Sequence, residues 1–178
     1  MSMTYEEMVD GCRRRNAKAQ RALYDELAPM AAGVCRRYST DRDEAHDMLQ
    51  DGFVKIYERI GSLRDPQKLR SWVYNIMVNT CIQHYRRARY TVLMEMDSDI
   101  AEREADLPYS MEDIVRALDT LTPMQRMAFN LCYAEEYSYE EAAKQMGCSK
   151  GAVKVCLCRA RRLLREFLEQ ESEKVKDN

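Results

Sequence analysis

Glycine and proline are scarce in this chain of 178 residues, which contains six glycines and four prolines. Runs of β-branched residues are few, and apolar residues recur at helical spacing, so the sequence predicts an all-α fold. The chain also lacks the ~20 consecutive apolar residues that a membrane span requires. The uncharged stretch over residues 72–85 is studded with polar side chains. We therefore expect no stable membrane insertion.

The N-terminal segment lacks the features of a secretory signal. Acidic residues stand where a signal peptide carries a basic cluster, and no apolar stretch follows them. The seven cysteines do not occur in the small, loop-rich frame that is typical of secreted disulfide proteins. These absences predict a cytoplasmic protein whose thiols are reduced.

Sequence motifs of catalysis and metal binding are missing as well. The chain has no Cys-x-x-Cys pair, no glycine-rich phosphate loop and no nucleophile elbow. Cys156 and Cys158 are two positions apart in a predicted helix and so point to different faces. The two histidines, His46 and His84, fall in different predicted helices without a ligand cluster nearby. We expect no enzymatic activity, no metal site and no cofactor.

What the chain does contain is a clear sorting of charge. The net charge is only -2, but residues 66–94 carry five basic side chains and residues 142–165 carry seven, with no acid in either segment. Residues 95–141, between them, carry 13 acidic and three basic side chains. Two basic segments favour two contacts with a polyanion. Two solvated helix faces explain the charges equally well.

Four amphipathic helices are predicted in the first half of the chain. Pro29 marks a kink or a boundary in the second of them. Asp41 and Asp65 are the expected N-caps of the third and the fourth helix, and Asp65 is followed by a proline. Because four such helices can bury one shared core, we predict a helical domain over residues 1–88.

The periodicity fails after this domain and then resumes. Residues 89–109 show no sustained period and are acidic in their second half, which predicts a flexible acidic linker. A second small helical domain is predicted over residues 110–170, with capping boxes that begin at Thr122 and Ser138. Residues 171–178 form a charged tail.

The end of the second domain has the layout of a helix-turn-helix. A short helix ends at Gly147, and Ser149 can cap the longer helix that follows. One face of that longer helix, opposite its apolar stripe, carries Lys150, Lys154, Cys158, Arg161 and Arg165, with Arg162 beside them. A long helix with a cationic face suits the major groove of DNA. An ordinary helical hairpin with a solvated basic face is the alternative.

The first domain gives two weaker indications of function. Its fourth helix mixes aromatic and cationic residues, which is what single-stranded nucleic acid requires, but Trp72 and Tyr85 lie on the apolar stripe and fit a core better. Its third helix presents four polar side chains, which form either a docking face for a basic partner or a hydrated surface: His46, Asp47, Gln50 and Asp51.

Three segments of the chain, taken in order, resemble one family. They are DMLQDGFVKIYERI (47–60), LRSWVYNIMVNTCIQHYRR (69–87) and LDTLTPMQRMAFNLCYAEEYSYEEAAKQMGCSKGAVKVCLCRARRLLREFL (118–168). They are similar to bacterial RNA polymerase sigma factors, and in particular to the compact extracytoplasmic-function (ECF) group, which keeps the second and fourth conserved sigma regions. The resemblance implies a four-helix domain like sigma region 2 and a helix-turn-helix domain like sigma region 4.

The resemblance also implies a function and the residues that carry it. A promoter-specificity subunit binds core RNA polymerase, recognises promoter DNA and helps to melt it. Asp47, Gln50 and Asp51 align with the surface that docks on the clamp helices of the polymerase β′ subunit. The residues implied for the minus-ten element are Arg64, Lys68, Arg70, Asn75, Asn79, Arg86 and Arg87. Those implied for the minus-thirty-five element are Ser149, Lys150, Lys154, Cys158, Arg161, Arg162 and Arg165.

Two further partners follow from the resemblance, namely the polymerase β flap and an anti-sigma factor. One departure from the family lies in the recognition helix, where Ala152, Val155 and Cys158 stand at positions that are commonly polar or aromatic. Fewer hydrogen-bonding groups there would shift weight from base contacts to phosphate contacts.

Two other functions fit parts of the pattern. A free-standing helix-turn-helix regulator would use the N-terminal helices for dimerisation or sensing, and it would bind duplex DNA without a polymerase. A helical interaction protein with no DNA role would tolerate charge reversal of Lys154 and Arg161. The acidic segment beside a single DNA-binding module makes tight solitary binding less favourable.

Overall fold

A computed structural model describes residues 3–89 and 116–176 of the chain, with side chains described as far as residues 87 and 170. These residues form helices joined by short turns and contain no strand, which confirms the all-α prediction. They group into two compact units that divide between His84 and Tyr85. The predicted linker falls almost wholly outside the described residues.

The first unit contains the helices α1 (Tyr5–Arg13), α2 (Ala17–Tyr38) and α3 (Arg42–Arg59) and, up to His84, the helix α4 (Leu69–Arg89). Between α3 and α4 the chain makes two short 3-10 turns, Ile60–Ser62 and Pro66–Lys68. Helix α1 packs against α2, α2 packs against α3, and α1 also contacts both 3-10 turns.

The helix starts of this unit follow from local side-chain chemistry. The Asp41 carboxylate accepts a hydrogen bond from the backbone N–H of Glu44 at 2.8 Å and caps α3. Asp65 caps the 3-10 turn at Pro66, and that turn runs directly into α4. The reading of Pro29 as a boundary is wrong, because α2 continues through it. Pro29 is exposed, whereas the residues before and after it on the apolar face are buried, and that burial holds the helix together.

Close helix packing in the first unit depends on small residues. A Cβ atom at Gly11 would lie 2.3 Å from the Cβ of Ala19, so α1 and α2 approach as near as their backbones allow. A Cβ at Gly52 of α3 would lie 2.3 Å from the Sδ of Met77 in α4.

A half-buried tyrosine also joins α3 to α2. Tyr57 donates a hydrogen bond to the Gln20 carbonyl at 3.0 Å, and burial raises the pKa of the Tyr57 hydroxyl to about 12.

From residue 116 onward, the second unit contains a helical turn at 116–118, α5 (Pro123–Phe129), a π-helical segment (Asn130–Ala134), α6 (Tyr139–Met146) and α7 (Lys150–Lys176). Both predicted capping boxes are present, from Thr122 to Gln125 and from Ser138 to Glu141. Gly147 ends α6 with a φ of 64°, a left-handed conformation that favours glycine.

Helix α7 is longer than its periodicity indicates. The apolar stripe fades near Glu169, but the helix continues to Lys176, where the sequence offers neither glycine nor proline to end it. Its first five turns bury Ala160, Leu164 and Leu168 against the helical turn at 116–118 and the residues after it. Arg126, only 1% exposed, donates hydrogen bonds to the Leu118 carbonyl at 2.6 Å and to Asp119 at 3.2 Å.

The seven cysteines all lie in the described residues and form no disulfide there, and their exposure differs between the units. Cys12, Cys35 and Cys81 of the first unit are buried, whereas the four cysteines of the second unit are half-buried: Cys132, Cys148, Cys156 and Cys158. Within residues 3–89 and 116–176, no group of three or more potential metal ligands comes together. In the same residues, no helix has the length and apolar character needed to cross a membrane.

Candidate nucleic-acid interface

Helix α3 turns one polar face outward. Asp47 and Gln50 are exposed, and the Gln50 amide lies 3.1 Å from the Nδ1 of His46. Val54, four positions after Gln50, is 55% exposed on the same face. Sequence reasoning did not identify Val54. The available signal is that Val54 falls outside the apolar stripe of α3, seven residues after Asp47.

Asp51 differs from the other two predicted docking residues. It is half-buried, and its Oδ2 lies 2.9 Å from the Nε2 of His84 on α4. This contact ties α3 to α4, so Asp51 contributes to the fold of the first unit as well as to its surface. Asp47 and Gln50 are therefore the more accessible part of the predicted docking set.

The connection between α3 and α4 presents Arg64 and Lys68, both exposed. Leu63, just before Arg64, is buried, so the connection is fastened to the core at this point. The Leu63 carbonyl accepts a hydrogen bond from the guanidinium of Arg13 on α1 at 2.5 Å. Two residues predicted for the minus-ten element thus stand on a connection with a defined backbone path.

The outer face of α4 carries a row of polar residues. Asn75, Asn79 and Arg86 are exposed, and their spacing of four and seven residues puts them on one side of the helix. The Asn79 amide donates a hydrogen bond to the Asn75 carbonyl at 2.8 Å. Trp72 is half-buried beside this row, whereas Tyr85 is buried as the core interpretation predicts. Polar side chains, a cation and one edge of an indole therefore share a surface.

Arg70 lies away from this row. It precedes Asn79 by nine residues, which is half a turn round an α-helix. It lines an open surface pocket together with Met30, Gln67, Ser71 and Tyr74. Arg87, next to Arg86, is exposed on the flank of α4. Of the seven residues predicted for the minus-ten element, Arg70 is the one that the fold separates from the rest.

The start of α7 is fixed by a side-chain cap. The Ser149 hydroxyl accepts a hydrogen bond from the Ala152 N–H at 3.1 Å and so caps the helix, as predicted. Ala152 is 1% exposed and packs in the core of the second unit. The expectation that an apolar residue at position 152 costs a base contact is wrong, because this position faces the core.

Several basic residues of α7 have partners within the second unit. Lys150 forms an ion pair with Glu140 on α6. Lys154 lies 5.8 Å from the ring centroid of Tyr139. Arg162 and Arg165 are exposed, with the Arg162 Nε 3.8 Å from Glu166, and Cys158 is half-buried. The contacts of these cations lie near the surface, where ion pairs are weak and exchange readily for a phosphate.

Arg161 is held more firmly than the other cations of α7. It is half-buried, its Nε donates a hydrogen bond to the Tyr133 hydroxyl, and its guanidinium lies 5.4 Å from the Tyr133 ring centroid. Burial raises the pKa of the Tyr133 hydroxyl, and the hydrogen bond from Arg161 opposes that rise. Tyr133 itself is 47% exposed. Sequence reasoning missed Tyr133 because it lies in the π-helical segment, where α-helical periodicity does not apply.

Comparison with known families gives two matches in the same order as the two units. Residues 23–91 match the model of sigma-70 region 2, and residues 111–164 match the model of sigma-70 region 4. The first match covers the α4 row and the outer face of α3. The second covers the helix-turn-helix.

Curated proteins of the same kind are similar over most of the chain. The ECF RNA polymerase sigma factor SigM of Mycobacterium tuberculosis is 31% identical over 137 residues, which are 76% of this chain and 69% of that protein. The RNA polymerase sigma-E factor of Streptomyces avermitilis is 31% identical over 140 residues, or 75% and 76% of the two chains.

Among solved structures, the sigma factor RpoE of Bartonella quintana, crystallised in complex with the anti-sigma factor NepR, is 28% identical to this chain. That match has a TM-score of 0.47 and covers 82% of this chain and 94% of the other.

Proposed function

Because this chain belongs to the ECF group of RNA polymerase sigma factors, we propose that its two units divide the recognition of a promoter between them. The chain is a promoter-specificity subunit of RNA polymerase and not a catalyst. Family membership thus favours this function over the free-standing regulator and the adaptor that the sequence alone left open.

The domain predicted over residues 1–88, which includes the first unit, docks on the polymerase and engages the minus-ten element. Docking on the β′ clamp helices uses Asp47, Gln50 and the apolar Val54, with Asp51 at the edge of the surface. An exposed apolar side chain ringed by polar ones is what a protein interface needs at its centre. The adjoining row on α4 faces single-stranded DNA.

The strongest support for a minus-ten site is the combination of side chains on α4. Asn75 and Asn79 offer amides that can hydrogen-bond to a base edge, Arg86 offers charge to a phosphate, and Trp72 offers part of a flat ring. Lys68 continues the row toward the α3–α4 connection, which carries Arg64. Arg70 is on the other side of the helix and contributes to the general basic field. Arg87 contacts the upstream backbone.

The domain predicted over residues 110–170, which lies within the second unit, reads the minus-thirty-five element with α7 in the major groove. Ser149, Lys150 and Lys154 near its N-terminus are placed for base edges and nearby phosphates. Arg162 and Arg165, farther along, hold the phosphate backbone. Cys158 lies between these two groups. Arg161 contributes to DNA binding while its guanidinium is held by Tyr133. The β flap of the polymerase is a further partner of this unit.

Residues 89–109 connect the units as an acidic linker, and residues 171–178 form a charged tail. An anti-sigma factor is the proposed regulatory partner, as membership of the ECF group implies. A subunit of RNA polymerase acts where transcription takes place, so we place the chain in the cytoplasm.

Charge reversal on the α3 face tests the docking proposal. In Asp47→Lys, a basic side chain replaces an exposed carboxylate that we assign to the contact with core polymerase. We expect its apparent affinity for core polymerase to fall about tenfold or more. An unfavourable charge at an interface costs up to several kcal/mol, and the exposure of position 47 reduces that cost. Co-elution with bacterial core RNA polymerase across a concentration series measures the change.

The matched control is Glu26→Lys, which makes the same change of charge at an exposed position of α2. It should bind core polymerase like the unmodified chain, and both variants should keep the unmodified melting temperature. Equal binding by the two variants would remove the α3 face from the docking site. Failure of the unmodified chain to co-elute with core would refute the sigma-factor assignment as a whole.

A further inference from the structure

Helix α1 and the α3–α4 connection are far apart in sequence and joined in the fold. The match to sigma region 2 begins at residue 23, so α1 precedes it. Nevertheless α1 contacts both 3-10 turns, Ile60–Ser62 and Pro66–Lys68, which flank the connection on either side. A helix outside the matched segment therefore supports the part of the first unit that carries Arg64.

Arg13 makes the specific contact. One end of its guanidinium donates a hydrogen bond to the Leu63 carbonyl at 2.5 Å, and the other nitrogen lies 3.0 Å from the Asp10 carboxylate. The Arg13 side chain is 37% exposed, so this contact is only partly screened by water. A hydrogen bond from a charged donor is among the stronger ones in proteins.

Leu63, which accepts this hydrogen bond, is held at its side chain as well as at its carbonyl. The Leu63 side chain is 5% exposed and fixed in the core, and its backbone carbonyl is bound by Arg13. The next residue, Arg64, is exposed. With both the side chain and the carbonyl of residue 63 held, the direction in which the chain presents residue 64 is restricted.

We propose that Arg13 is a positioning residue for recognition of the minus-ten element. It fixes the path of the α3–α4 connection so that Arg64 and Lys68 meet the DNA strand together with the α4 row. This inference rests on the proposed function, because it presupposes that the connection faces promoter DNA. It adds a residue of α1, with no DNA contact of its own, to the determinants of promoter specificity.

The test uses holoenzyme reconstituted from the full chain and core RNA polymerase, on a promoter selected from random DNA by the unmodified holoenzyme. The readout is a ratio: initiation at this promoter divided by initiation at single-base variants, measured separately for the minus-ten and minus-thirty-five elements. A variant that is merely less stable lowers both ratios or neither. A variant with a displaced connection lowers the minus-ten ratio alone.

Arg13→Met keeps an unbranched apolar stem and removes the donors. We expect its minus-ten ratio to fall about tenfold, the scale on which loss of a charged hydrogen bond acts. Its minus-thirty-five ratio and its co-elution with core should stay unchanged. Arg13→Lys, which retains a donor, should recover part of the ratio. Asp10→Asn, which removes the ion pair but not the bond to Leu63, should behave like the unmodified chain.

An unchanged minus-ten ratio in folded Arg13→Met would overturn the inference, and so would an equal loss at both elements. If Arg13→Met does not fold, Arg13→Gln takes its place, since its shorter side chain no longer spans the distance to Leu63. These outcomes differ from failure of the proposed function, in which the unmodified holoenzyme would select no promoter at all.

Discussion

At the scale of single residues, Gly11 lies at a close contact between α1 and α2. Its substitution by alanine would bring two methyl carbons to 2.3 Å in a contact where Ala19 has no flexible end that could move away. We expect Gly11→Ala to lower the free energy of unfolding by about 1–3 kcal/mol, which is typical of overpacking in a core. Urea denaturation followed by circular dichroism measures the change.

Gly33 provides the matched control, because it lies in α2 and a methyl group added there would meet nothing within 4 Å. There alanine should leave stability unchanged or raise it by about 0.5–1 kcal/mol, since glycine is the poorer helix former. If Gly11→Ala were as stable as Gly33→Ala, α1 and α2 would not be packed as closely as described.

Burial at single positions was only partly predictable from the sequence. Helical spacing identified the buried side of α4, including Tyr85, because a period of 3.6 residues reflects the geometry of one helix. It could not show that Ala152 is buried or that Trp72 is only half-buried. Those outcomes depend on which other element covers the position, and that information is not local.

At the scale of the element, helix α7 carries both half-buried and exposed cations. Substitution of one arginine of each kind distinguishes their roles. Arg161 is half-buried against Tyr133, whereas Arg165 is exposed one turn later. We expect Arg161→Gln to reduce the stability of the second unit by about 1–2 kcal/mol through loss of the charged hydrogen bond and the stacking on the ring. Thermal unfolding of the full chain measures this loss.

Arg165→Gln should leave unfolding unchanged and act on DNA binding instead. Removing one phosphate contact lowers the slope of log affinity against log salt concentration by about 1. Titration of promoter DNA with holoenzyme at several salt concentrations gives that slope. A stability loss in Arg165→Gln, or none in Arg161→Gln, would reverse the two roles.

Element boundaries were predictable wherever local chemistry sets them. Capping boxes at Thr122 and Ser138 and the left-handed Gly147 are each specified within a few residues, so the sequence is sufficient to place them. The π-helical segment Asn130–Ala134 was not predictable from helical spacing, because the spacing of an α-helix does not apply to it. Tyr133 lies in this segment and accepts the hydrogen bond from Arg161, so the sequence did not reveal this pair.

Charge governs behaviour at the scale of the whole molecule. The chain has a net charge of -2 and a segment, 95–141, that carries ten more acidic than basic side chains. A polyanion repels such a segment, so the free chain should bind duplex promoter DNA only weakly, with a dissociation constant no tighter than the ~10⁻⁶ M of non-specific binding. Core polymerase should tighten promoter binding to the nanomolar range that specific complexes reach.

Electrophoretic mobility shift with and without core polymerase at physiological salt distinguishes these cases. Tight, sequence-specific binding by the free chain would return the molecule to the class of free-standing regulators. The same assay with an unrelated duplex gives the non-specific baseline.

The unequal exposure of the thiols gives the molecule a ready-made labelling pattern. Because Cys12, Cys35 and Cys81 are buried, a maleimide dye applied under native conditions should react with the second unit and spare the first. Burial raises the pKa of the Cys132 thiol, which disfavours its reaction and leaves Cys148, Cys156 and Cys158 as the preferred positions. The unmodified chain can thus carry a fluorophore on its helix-turn-helix. A brief unfolding step in denaturant would then expose the remaining thiols to reaction with a second, spectrally distinct dye.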